Sequence, residues 1–175
     1  SRAGYLASTS PYRQHWEFAN WVFLNESRFR AVLAEGERIV GEWLMQAHGT
    51  RYELTHEPFV AFDLMTKQKR LPYEQMTERV SGAFVLPHLL HSGEPIAIPA
   101  VLKLLGEYGH HGALDKVEGA MWRVERDEQR HKHTGERSRV VDFLVKYVRP
   151  DKVDGCYLTE KTGGEPVWNW LPLGG

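Results

Sequence analysis

From Phe18 to Leu33 the large apolar residues recur at helical spacing. Phe18, Trp21, Val22, Phe29, Val32 and Leu33 form a stripe, and Asn20, Asn25, Glu26, Arg28 and Arg30 fill the gaps. Ser10 before Pro11 is a start signal and Gly36 follows the stripe, so the pattern predicts one helix over residues 11–34. Its aromatic stripe is read as core rather than as a platform for stacked bases. The residues before it, SRAGYLAS, read as the end of a strand or a loop.

The pattern then changes. Glu37 to Gln46 and Pro58 to Leu64 are rich in β-branched and aromatic residues and read as strands. Alternation in the second puts Phe62 with Val60 on one face and Ala61 with Asp63 on the other. A short helix is predicted over Pro72 to Ser81, stopped by Gly82, and a short strand over Ala83 to Leu86, ended by Pro87. Ile98 to Tyr108 is amphipathic and closed by Gly109, while Val117 to Glu125 and Val140 to Arg149 read as two further strands. Between these last two, Asp127 to Arg139 is charged without apolar periodicity, which predicts a hairpin loop or mobile segment. After Pro150 the chain is rich in Gly and Pro and ends WNWLPLGG, a tail expected to pack through its tryptophans.

At 175 residues the chain fits one domain, 1–175, with 150–175 as a C-terminal extension. Lys+Arg number 22 against 23 Asp+Glu, so no global basic field advertises nucleic acid, and any such contact needs a local patch. Cys156 is the only cysteine, which excludes an intramolecular disulfide and a cysteine-rich zinc site and fits a reducing, cytoplasmic location. No apolar run is long enough to cross a membrane as a helix. The chain begins with Ser rather than Met and is read as a fragment or a processed product.

Four charged residues lie inside predicted strands: Glu42, Asp63, Glu118 and Lys146, with Phe62 beside one of them. A carboxylate at Glu42 is costly to bury unless it is paired with a neighbouring Arg, hydrogen-bonded or bound to a ligand. Together the residues form the inventory of a nucleoside triphosphate site: an aromatic face for a base, carboxylates for hydroxyls and a divalent cation, and a cation for phosphate. Asp63 could instead simply end its strand. His110, His111, His131 and His133 could bind metal, but no Cys or paired carboxylate stands at ligand spacing, so they are read as solvated.

The order GEW (41–43), FVAFD (59–63), EGAMWR (118–123) and LVKYVR (144–149) resembles the RNA ligase family of covalent nucleotidyltransferases. The closest local likeness is GEWLMQAHGTRY followed by FVAFDLM. The resemblance implies an α+β nucleotidyltransferase domain that binds ATP and Mg²⁺ or Mn²⁺ between antiparallel sheets. It also implies that a lysine is adenylylated, that AMP passes to an RNA 5′-phosphate, and that a 3′-hydroxyl seals the strand. On it, Phe62 stacks on adenine and Glu42 holds ribose or organises the site. Glu118 serves the metal and the nucleophile, Lys146 neutralises the α-phosphate, and Arg2 contacts nucleotide or RNA phosphates. DNA ends are not separated from RNA ends on these grounds.

The sequence departs from the pattern in two places. The family's nucleophile lies in a Lys-x-Asp-Gly motif upstream of the position matched by Arg2. Three readings stand side by side: the motif lies in a missing N-terminal segment or second chain, it is the tetrapeptide from Lys152 to Gly155 in permuted order, or the chain is a non-catalytic nucleotide- or RNA-binding module. In addition, the second lysine often found two residues from the first is absent, with Leu144 and Val148 flanking Lys146.

Overall fold

The computed structural model describes residues 5–129 and 137–171. Arg2, His131 and His133 lie outside the described residues. Helices and antiparallel strands are mixed, giving an α+β architecture with a three-stranded sheet and a two-stranded ribbon.

The expected first helix is two: α1 (Arg13–Leu24) and α2 (Glu26–Val32). Asn25 divides them at φ −107° and ψ 17°. Its side-chain amide donates to the Trp21 carbonyl at 2.8 Å, and its side-chain oxygen accepts from Arg28 at 2.7 Å. Such local bonding competes with the helical ladder. Ser10 does not cap α1; its hydroxyl accepts from Tyr12 N at 3.3 Å and bonds His15 Nδ1 at 2.6 Å, ordering the turn before the helix.

Strands β1 (Glu37–Trp43), β2 (Phe59–Thr66) and β3 (Lys69–Arg70) are antiparallel in that order. Ile39 and Trp43 of β1 pack with Phe59, Ala61 and Leu64 of β2 on the helix-covered side, against Trp21, Phe29 and Val32 and the helix α3 (Tyr73–Val80). Ring centroids of Trp21 lie 5.3 Å from Phe59 and 5.5 Å from Trp43, so the aromatic stripe is core, as predicted. Gly41 is required by close approach: a Cβ there would stand 2.5 Å from the Phe59 ring and 2.7 Å from the Val60 carbonyl.

The pairing of β1 with β2 slips once. Val40 faces Asp63 and Gly41 faces Ala61, which leaves Phe62 as the extra residue of a β-bulge. The bulge corrects the expected alternation: Ala61 joins the core while Asp63 turns to the other side. Asp63 does not end the strand either, since β2 continues to Thr66.

The segment 83–86 forms no strand ladder; Val85 makes one parallel bridge to Val60, with Ala61 N donating to the Val85 carbonyl at 2.8 Å. Helix α4 (Ile98–Leu105) ends at Gly106, φ 69°, three residues before the predicted stop. Strands β4 (Gly119–Gln129) and β5 (Arg137–Val148) pair along their whole lengths, so much of the charged stretch predicted as loop is strand. Cross-strand opposite charges such as Arg126 and Asp142, 3.1 Å apart, make that possible.

One buried network joins the sheet to the ribbon. Asp63, 2% exposed, accepts from Arg70 at 2.7 Å and from Arg123 of β4 at 2.5 Å. Arg123 also reaches the Leu71 carbonyl and Glu125, and Glu125 accepts from Tyr73 N at 2.6 Å. The C-terminal segment, with the short α5 (Thr159–Thr162), returns to β1 as expected of its tryptophans. Trp168 bridges to Gln46, the Trp170 ring lies 6.4 Å from Trp43, and Asn169 donates to the Leu44 carbonyl at 2.8 Å. No helix among the described residues is long and apolar enough to cross a membrane.

Candidate functional site

Between the β1–β3 sheet and the β4–β5 ribbon runs a cleft of about 1440 Å³, and Glu42, Phe62, Glu118 and Lys146 all line it. Four residues separated by up to 104 positions in sequence (146 − 42) thus share one cavity. Phe62 is half-buried in a strand whose neighbours on both sides are buried, because the bulge gives it no partner in the ladder.

Glu42 follows Gly41 near the end of β1 and makes no ion pair among the described residues, so the expected alternative of a structural Arg partner is not met. Its carboxyl touches the open cleft, yet the surrounding walls displace enough water to push its pKa up; Glu118 adds to that rise, while His48 and Lys146 oppose it. Glu118 stands just before β4, and Lys146 Nζ donates to its Oε2 across the ribbon at 3.0 Å. Both side chains are well exposed, so the pair adds little to stability and remains available to a ligand. Gly119 beside it lets β4 close on β5: a Cβ there would fall 2.0 Å from the Tyr147 carbonyl.

Tyr52, which the sequence reading left without a role, also lines the cleft, as does Lys152, the lysine of the permuted reading. Burial, followed in smaller measure by the charges of Glu118 and Glu42, holds the Tyr52 phenol up and neutral. Its place in the GEWLMQAHGTRY segment was the available signal. Lys152 Nζ donates to the Gly49 carbonyl, to Thr50 Oγ1 at 2.6 Å and to the Lys116 carbonyl at 3.0 Å. Its three donors are consumed in clamping two loops together. Nearby, Arg51 makes a two-pronged pair with Asp115, which also accepts from the Tyr157 hydroxyl at 2.9 Å and is held well below the usual carboxylate range, mainly by Arg51.

The oxygens of Glu42 and Glu118 are hard donors, and the charge of Glu118 disfavours ionisation of Glu42, a conflict that a divalent cation would relieve. Among the described residues no group of three or more His, Cys, Asp or Glu forms a complete protein cage. His110 is exposed, in keeping with the solvated reading, and stacks on His88; His111 is half-buried and bonds His56 instead.

A family model described as RNA ligase matches residues 1–148. The chain belongs to the RNA ligase family. The matched region ends with the last residue of β5, and so takes in all four cleft residues of this RNA ligase family member while leaving the segment that carries Lys152 outside. No curated protein and no solved structure matches the chain.

Proposed function

We propose that the cleft is an ATP site of the nucleotidyltransferase kind, used for joining RNA ends. The observation that supports this is the convergence of Glu42, Phe62, Glu118 and Lys146 on one cavity between antiparallel strands. In this reading the Phe62 ring stacks on adenine, which is why it leaves the ladder. Glu42 accepts a hydrogen bond from a ribose hydroxyl. Lys146 shifts its ammonium from Glu118 toward the α-phosphate as charge builds there, and Glu118, so released, orients the attacking group. Arg2 would add a contact to phosphate. Glu118 would hold Mg²⁺ or Mn²⁺, which would supply charge neutralisation at the phosphates.

The covalent step needs an uncharged lysine aimed at phosphorus. Of the lysines lining the cleft among the described residues, Lys146 is paired with Glu118 and Lys152 is held by three acceptors. We therefore read Lys152 as structural rather than as a permuted nucleophile, and expect the chain by itself to bind ATP without becoming adenylylated. The same engagement of both lysines favours a second reading, a binding module without catalysis.

Two assays decide. Incubation with ATP labelled at the α-phosphate and Mg²⁺ should give no acid-labile covalent label; a label abolished by Lys152→Ala would restore the permuted reading. Pre-adenylylated RNA offered with a 3′-hydroxyl strand bypasses the nucleophile: sealing supports a catalytic cleft, and binding without sealing supports the module.

A further inference from the structure

His88, His110 and His111 line the cleft from two segments distant in sequence; His110 stacks on His88, and His111 bonds His56 of a third segment. In the inner pair, His56 Nδ1 lies 2.6 Å from the Glu57 carbonyl, and a carbonyl only accepts, so that nitrogen carries hydrogen. The neutral ring then accepts at Nε2, 2.9 Å from His111 Nδ1, which must donate. His111 is left with a buried Nε2 that has no partner. A proton added there would be a buried N–H without an acceptor, and burial, then His56, His110 and His88, hold the His111 pKa down.

The outer pair lies open on the cleft wall. The His88 and His110 rings stack at 3.7 Å, 23° from parallel, and both residues are exposed. Two stacked imidazoles repel each other once both are protonated, and an anion across their edges removes that cost. Imidazole edges donate well to phosphate oxygens, and a flat ring face receives a base.

The titratable and charged groups on the contributing segments are Glu53, His56 and Glu57, then His88, His91 and Glu94, then Glu107, Tyr108, His110 and His111. Glu57 is occupied by Arg28, Glu107 by Lys116 at 2.9 Å, and His91 by the Glu94 carbonyl at 2.9 Å. The cleft also exceeds the roughly 300–1,000 Å³ typical of a pocket for one small ligand.

We propose that the stacked His88–His110 pair is a subsite for a phosphate-bearing single RNA strand. The inference rests on the cleft being the ligase site, and it adds where the strand lies. The ring edges offer a phosphate contact and the open ring face a base contact, so loss of both imidazoles should weaken RNA binding by about tenfold.

The probe is a 3′-fluorescein, 5′-phosphorylated 12-mer RNA, titrated by anisotropy in chelator, with ATP–Mg²⁺ affinity measured separately on the same preparations. His88→Gln, His110→Gln and the double variant should keep the melting temperature and ATP affinity while losing RNA affinity. Bound ATP with RNA binding that survives the double variant overturns the proposal and leaves the ATP site standing. RNA binding that requires an added transition metal overturns it in favour of a metal centre. RNA binding that is lost in the variants, by a protein that does not bind ATP, supports the subsite and sinks the ATP reading. Loss of both ligands in the wild type sinks both.

Discussion

The β1–β2 wall of the cleft is covered on its far side by α1, α2 and α3, and Phe59, Ala61 and Leu64 are almost fully buried there. The β4–β5 wall is a ribbon that leaves Met121, Phe143 and Val145 exposed by 55%, 50% and 47%. The first wall carries the groups proposed for ribose and base, which must be held in fixed places. The second carries Glu118 and Lys146, whose proposed work is to exchange partners during phosphate chemistry. A charge pair on an open ribbon can separate at little cost, and one locked in a core could not.

That contrast breaks first if the ribbon pair turns out to be structural. Glu118→Ala and Lys146→Ala should each slow sealing of pre-adenylylated RNA by about 10²–10³-fold while moving the melting temperature by little. Equal losses of folding and rate would make the second wall as structural as the first. Asp63 sets the opposite case, where the walls meet. Asp63→Ala strips the buried acceptor from Arg70 and Arg123 and should cost about 3 kcal/mol in denaturant unfolding, because two cations lose their shared partner.

Glu37, at the outer end of the covered wall, sharpens the comparison through acid. Arg79 holds it bidentately at 2.8 and 2.6 Å, and that contact above all brings its pKa down to about 2. The folded pKa lies below the unfolded value near 4.5, so its stabilisation is complete above that value and is lost as pH falls toward 2. Glu37→Gln should cost about 2 kcal/mol at pH 7 and almost nothing at pH 2. Glu42 works in the other direction, and its effect is the smallest. Its folded pKa is raised, so the wild type loses stability as pH rises through the interval between the unfolded and folded values. Glu42→Gln should therefore raise the melting temperature slightly at pH 7, with the gain gone below the ordinary carboxylate range, while weakening ATP binding.

Features that depend on neighbours in sequence were legible. The β1 and β2 strands, the aromatic core stripe and the oddity of Glu42 in an apolar run follow from local period and composition. Asn25 could not be recognised as a break, because its helix-competing bonds run to Trp21 and Arg28 within an otherwise regular stripe. Asp63 was misjudged because its decisive partner, Arg123, lies 60 residues away, and the histidine pairing of His56 with His111 spans 55. The extra length of β4 and β5 escaped because charged residues that look like loop on one strand are neutralised by those on the next. The four cleft residues were found by motif order, and their common cavity needed the fold.

The bulge at Phe62 also bears on how this cleft could lose or change its ligand. Phe62 has no opposite number on β1, while Asp63 and Ala61 are paired on either side of it. Deleting that one codon would let the two strands run in unbroken register, with Trp21, Phe59 and Leu64 left where they are. The base contact proposed for Phe62 would thus be a removable module, seated in a fold whose core residues lie elsewhere.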